Sequence, residues 1–102
     1  MPSADVVIVG GGPTGLAAAI ALRQAGADVL IADAQEPPID KACGEGLMPD
    51  SVHELSKLGI DLASAGCASF SGIRFADKDS TVSAEFARGK GLGVRRLALH
   101  RL

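Results

Sequence analysis

The chain has 102 residues, 47% of them hydrophobic, and a formal net charge of −2. That length supports one small domain with a core, and that apolar content excludes a disordered chain. The slight acidity, with three Phe and no Trp or Tyr, excludes a general nucleic-acid binder, which needs a basic surface and stacking rings.

In chain order, Asp5 to Val9 (DVVIV) reads as the first strand, β-branched, continuous and ended by glycine. Thr14 to Ala25 reads as a helix. Pro13 suits its first turn, because the fixed φ is already helical and the missing N–H has no intrahelical partner there. Leu16, Ile20 and Arg23 recur at helical spacing, and the alanines between them permit close packing. Gly26 is placed to stop the helix as a left-handed cap. Asp28 to Asp33 (DVLIAD) reads as a second strand. Strand, helix and strand make one βαβ unit, expected to be parallel with a right-handed crossover.

The uncharged stretch from Val6 to Leu22 superficially resembles an export or membrane segment. Asp5 precedes it where a basic residue belongs, Gly10 to Pro13 break it, and it falls short of the ~20 residues a spanning helix needs. No membrane span is expected. Cys43 and Cys67 form no C-x-x-C pair, and His53 and His100 stand apart, so no metal site can be read. Reduced thiols and a cytoplasmic location are expected for such a chain.

Pro37-Pro38 ends the βαβ unit, and KACGEGLMPD at 41–50 reads as a glycine-bearing loop. Pro49 opens a second helix, with Val52, Leu55 and Leu58 on one face and Gly59 beyond its end. SFSGIRF and TVSAEFA flank DKDS at 77–80, which reads as a hairpin turn inside an insertion spanning 66–96. GLGVRR at 91–96 is expected to add a third short strand, and RLALHRL starts another amphipathic pattern. Only two parallel strands are clear, where a doubly wound sheet has about five or six. The chain therefore reads as the front portion of something longer, with unfinished sheet edges expected to drive self-association.

Gly10, Gly12 and Gly15 fit G-x-G-x-x-G. In a dinucleotide site the first glycine turns the chain sharply out of the strand. The second leaves the main chain bare for a pyrophosphate, and the third lets helix and strand pack closely. The helix N-terminus, here Pro13 and Thr14, adds unpaired N–H groups and a partial positive charge. Asp33 ends the next strand about where a carboxylate accepts hydrogen bonds from a ribose, and its charge would repel a 2′-phosphate. The fold expected is therefore α/β: a Rossmann-like βαβ dinucleotide-binding unit over 1–102, with an added helix and a small antiparallel hairpin. The spacing leaves FAD and NAD both open.

GGGPTG, then Asp33, then DKACGEGLMP at 40–49, then GVRRLALHRL at 93–102 appear in order. This order resembles the N-terminal part of the FAD-dependent oxidoreductases related to para-hydroxybenzoate hydroxylase and geranylgeranyl reductase, and the resemblance covers essentially the whole chain. It implies FAD as cofactor and a monooxygenase-like oxidoreductase acting on a small molecule, with a saturating reductase or a flavin halogenase as alternatives within the same family, and with Gly10, Gly12, Gly15 and Asp33 holding the ADP half. It also implies that Lys41, Cys43, Gly44, Glu45 and Gly46 lie along the flavin side, and that Arg96 contacts the cofactor near its pyrophosphate. Arg95 is the alternative, since in a strand only one of the two can face a ligand. Ala34 departs from the basic residue many relatives carry after the acid. A nucleotide-binding module for ADP or NAD without turnover is the competing reading. Cys43 is expected to be a small packed residue, and Cys67 to lie in core or loop. Lys41 and Glu45 read either as an exposed pair or as groups near the flavin, and both histidines are expected to face solvent.

Overall fold

A computed structural model of the chain describes residues 3–41 and 45–102. The first strand, β1 (Val6–Val9), and the second, β2 (Val29–Ala32), pair in parallel with Val6 opposite Val29 and Val9 opposite Ala32. Between them runs α1 (Pro13–Gln24), opened by Pro13 in its first turn. Gly26 follows at φ +92°, and the N–H of Ala27 closes back on the Leu22 carbonyl at 3.0 Å, so the helix ends as its glycine dictates.

The strand pair is apolar throughout yet covered on one side. Val6, Ile8, Val29 and Ile31 are half-buried, whereas the alternating residues Val7, Val9, Leu30 and Ala32 are exposed, Val9 to 89%. A continuous apolar run predicts a strand buried on both faces. Here α1 packs against one face, and the other stands open among the described residues.

The stretch expected to be a loop contains a short strand, β3 (Gly46–Leu47), and then α2 (Pro49–Lys57). Asp50 in the first turn and Lys57 in the last complement the helix dipole. Val52, Leu55 and Leu58 are half-buried along one side, as their spacing predicts. Gln24 Nε2 donates to the Leu58 carbonyl at 2.8 Å, tying the ends of α1 and α2 together. A 3₁₀ turn at Leu62–Ala65 follows, with Asp61 accepting from the Ala63 N–H at 3.2 Å.

The remaining strands are β4 (Ala68–Phe70), β5 (Gly72–Ala76), β6 (Thr81–Glu85) and β7 (Gly91–Gly93), before α3 (Arg96–His100). β5 and β6 form the expected hairpin, whose turn is fixed by Asp77 accepting from the N–H groups of Asp79 and Ser80, both at 2.9 Å. The third strand exists but does not extend this hairpin. β7 lies between β3 and β4 in a separate antiparallel sheet, Gly93 opposite both Gly46 and Ala68. A Cβ on Gly91 would overlap the Phe70 ring and come within 2.8 Å of the Leu47 carbonyl oxygen, so the middle strand must be nearly bare. The core is small: Ala19, Ile39, Leu62 and Val94, with Ile39 only 2% exposed.

Candidate functional site

At the C-terminal end of β1 the chain reverses at once. Gly10 makes the turn at φ +107°, which L side chains rarely adopt, while its N–H donates to the Ala32 carbonyl at 2.8 Å. The turn thus stays tied to the end of β2. Gly12 is the N-cap of α1 and supplies no side-chain cap, so the first turn presents the N–H groups of Thr14 and Gly15 outward with the positive end of the helix dipole. Pro13, which opens the helix just before them, has no N–H to leave unpaired.

Gly15 and Gly12 differ in what surrounds them. A Cβ on Gly15 would overlap the Gly10 carbonyl oxygen and lie 3.3 Å from Ile8 Cγ2. The bare position sets how near α1 comes to β1. Among the described residues a Cβ on Gly12 would find only Arg96 Nη2 within 4 Å, at 3.2 Å. The main chain there is open except for one guanidinium.

Gly11, which the G-x-G-x-x-G spacing leaves as an arbitrary residue, has a part of its own. Its N–H donates to Asp33 Oδ2 at 2.8 Å, and the Gln35 N–H donates to Oδ1 at 2.9 Å. Those two donors, Gly11 first, hold the Asp33 carboxyl below its ordinary pKa, and the positive charge of Lys41 lowers it further. Asp33 is therefore ionised at neutral pH, exposed, and set beside the glycine turn. The donor is main chain, so any residue but proline at 11 could make this contact, and the glycine itself is no sequence signal for it. A Cβ at Gly11 would itself sit 3.6 Å from Asp33 Oδ2.

A cleft of about 550 Å³ opens over the turn, lined by Ile8, Val9, Gly10, Gly12, Pro13, Thr14, Gly15, Ala18 and Arg96. Arg96 Nε is buried with no hydrogen-bond partner among the described residues. An unpaired buried donor on a cation is costly unless an acceptor meets it. The two arginines do not alternate along a strand, as the sequence suggested. β7 stops at Gly93, Arg95 is an exposed residue in extended conformation, and Arg96 reaches the turn because it opens α3.

The other expected residues scatter. Lys41 is exposed and within electrostatic reach of Asp33, on the carboxylate's side of the turn. Gly46 is exposed in β3, paired with Gly93. Cys43 and Gly44 lie outside the described residues. Glu45 adopts φ +55°, and its carboxylate accepts from the Arg96 N–H at 3.4 Å. His53 is exposed, as expected. His100 is not: it is half-buried, its Nδ1 has no partner among the described residues, and it borders a second hollow of about 600 Å³ between α1, α2 and α3. The amphipathic pattern of α3 turns it inward beside Leu99. That hollow is larger than the glycine cleft, but its walls are chiefly apolar, with Leu16, Ile20, Leu55, Leu58 and Leu99, and its polar members, Thr14, Asp50, Ser51, Glu54 and His100, include no lysine or arginine to meet a diphosphate. Cys67 is a free, half-buried thiol donating to the Leu62 carbonyl at 3.0 Å. Among the described residues no cluster of three metal-ligating side chains occurs, and no helix is long and apolar enough to cross a membrane.

Residues 3–88 match the family model described as FAD binding domain. The chain belongs to that family. Membership decides for FAD between the two dinucleotides that the glycine spacing leaves open. Menaquinone reductase of Mycolicibacterium smegmatis is 56% identical over 57 residues, which are 56% of this chain and 14% of the reductase. Squalene epoxidase erg1 of Schizosaccharomyces pombe is 35% identical over 85 residues, 81% of this chain and 19% of the epoxidase. Among solved structures, a flavoprotein/dehydrogenase from Cytophaga hutchinsonii superposes with a TM-score of 0.75 at 25% identity, over 96% of this chain and 26% of that one. This FAD-binding chain thus spans about a seventh of the reductase's length and a quarter of the flavoprotein's.

Proposed function

We propose that the β1–α1 turn holds the ADP half of FAD, and that this FAD-binding chain serves a flavin-dependent oxidoreductase of monooxygenase-like type. One observation carries the placement. The bare main chain at Gly12, the open first turn of α1 and the buried Nε of Arg96, without a partner among the described residues, converge on a single cleft, with the ionised Asp33 beside it. The donor set suits a diphosphate: two main-chain N–H groups and a guanidinium, all of them donors. Asp33 spends one lone pair of each oxygen on main-chain N–H groups and keeps the others for ribose hydroxyls. The same fixed charge disfavours a 2′-phosphorylated nucleotide.

Bound FAD supplies hydride transfer and oxygen activation, which no side chain can provide. The chain's own residues bind and orient: Gly10 aims the turn, Gly15 fixes the helix against β1, and Arg96 neutralises charge at the cleft's rim. None of them is placed to act as an acid or base. The similarity to an epoxidase supports the monooxygenase-like reading. The similarity to menaquinone reductase favours a second one, reduction of a prenylated quinone, which differs in consuming no oxygen. A cytoplasmic location and self-association through the uncovered β1–β2 face, where Val7, Val9 and Leu30 are exposed, belong to the same proposal. Sedimentation as a concentration-independent monomer would contradict the association.

The test of the placement is a titration of the chain with FAD, NAD and ADP, followed by quenching of flavin fluorescence or by calorimetry. Binding of FAD in preference to NAD, abolished by Gly12→Val, is the expected result. Equal weak affinity for all three marks a nucleotide-binding module without turnover. A Gly12→Val chain that still binds FAD places the cofactor elsewhere.

A further inference from the structure

Glu45 reaches the glycine cleft from the far side, through Arg96. Its φ of +55° is uncommon for a residue with a side chain and turns the chain sharply into β3. In that conformation its carbonyl accepts from the Val94 N–H at 2.8 Å and its Oε1 accepts from the Arg96 N–H at 3.4 Å. Gly46 and Leu47 then pair with Gly93 and Leu92. The β3–β7 ladder is thereby prolonged through Glu45 to the first residue of α3. Val94, between the two contacts, is buried. α3 receives no cap from the side chain of Arg95, its own N-cap residue, so the Glu45 carboxylate takes that place.

We propose that Glu45 is a positioning residue for Arg96: by holding the main chain at 94 and 96, it sets the guanidinium over Gly12. This rests on the reading that the cleft takes the diphosphate of FAD. A long side chain loses much rotamer freedom on binding an anion, and a fixed root leaves less to lose. Glu45 touches no ligand in this account. It acts on binding by way of Arg96, through the main chain at 94 and 96.

The experiment is a double-mutant cycle on the full chain, with FAD affinity read by quenching of flavin fluorescence and folding by thermal melting. Arg96→Met is expected to weaken FAD binding by about tenfold to a hundredfold, the range of a charge-assisted hydrogen bond. Glu45→Ala is expected to weaken it by about tenfold, and Glu45→Gln, which keeps a carbonyl acceptor, to recover most of that loss. In the Arg96→Met background, Glu45→Ala should change the affinity no further. Should Glu45→Ala fail to fold, Glu45→Gly, at ease with a positive φ, replaces it in the cycle. Equal losses in both backgrounds, or wild-type affinity in Glu45→Ala, overturn the assignment while FAD binding itself stands. Wild-type chain that binds no FAD is a different result and overturns the parent reading together with this one.

Discussion

Substituting Ala in turn at Gly11, Gly12 and Gly15 separates three roles that one motif compresses. At Gly15 the new Cβ would collide with the Gly10 carbonyl oxygen and approach its carbon to 3.2 Å. A main-chain atom cannot rotate away, so α1 must lift from β1. Overpacking of this kind costs about 1–3 kcal/mol, and replacing a helical glycine returns up to about 1 kcal/mol. Because the collision is with main chain, the cost lies at the upper end of that range and the net loss is about 2 kcal/mol, a fall in Tm of roughly 8–15 °C for a domain of this size. At Gly12 the only neighbour among the described residues is the free end of Arg96, at 3.2 Å, which can give way. Gly12→Ala should therefore melt close to wild type yet bind FAD at least about tenfold more weakly, because the methyl group occupies the path to the main chain. At Gly11 the Cβ would make ordinary contacts at 3.6–3.7 Å with Asp33 and Ile31, so stability should stay within about 1 kcal/mol of wild type. Thermal melting by circular dichroism and FAD titration on the same three proteins give both readouts. A Gly15→Ala chain that melts with wild type, or a Gly12→Ala chain that binds like it, would refute the assignment of packing to one glycine and access to the other.

Two further outcomes follow from the electrostatics and the open surfaces. The Gly11 and Gln35 N–H groups depress the Asp33 pKa below its ordinary 3.8, so the stability they lend is full above that value and is lost as pH falls through the lower folded one. Denaturant unfolding should show wild type weakening on acidification below about pH 4, with Asp33→Asn losing less over the same interval and binding FAD more weakly at pH 7. On the hairpin, Ile73, Phe75, Val82 and Ala84 share one face, and Phe75 and Val82 are 72% and 67% exposed. Phe75→Ser should shift stability by no more than about 0.5 kcal/mol; a large drop in Tm would show that the face is covered in solution.

Much of this organisation is legible in the residues. Pro13 and Pro49 mark helix starts, Gly26 marks a stop, and two short apolar runs, the first ended by Gly10 and the second by Asp33, mark the two parallel strands. DKDS names the hairpin turn because Asp77 can accept from the next residues' main chain. What escapes a linear reading is long-range. β7 is Gly-Leu-Gly, with no alternation to fix a face or a register. Its place between β3 and β4 follows from how closely Phe70 and Leu47 approach Gly91, which only the fold shows. Ile39, the most buried side chain among the described residues, sits alone after two prolines without any periodic partner. The site divides the same way. Gly10, Gly12, Gly15 and Asp33 stand at readable spacings, whereas Arg96 comes to Gly12 from the other end of the chain, and the Gly11–Asp33 bond depends on how β1 and β2 align.

The central claim is that the main chain from Gly12 to Gly15, with Arg96, grips a diphosphate. Amide-resolved NMR of the chain titrated with ADP tests it most directly. The N–H signals of Gly12, Thr14 and Gly15 and the Arg96 Nε–H should shift in step with binding, while those of the hairpin at 72–85 stay in place. Shifts centred instead on the hollow between Leu16, Leu55 and Leu99, with the glycine turn unmoved, would contradict it.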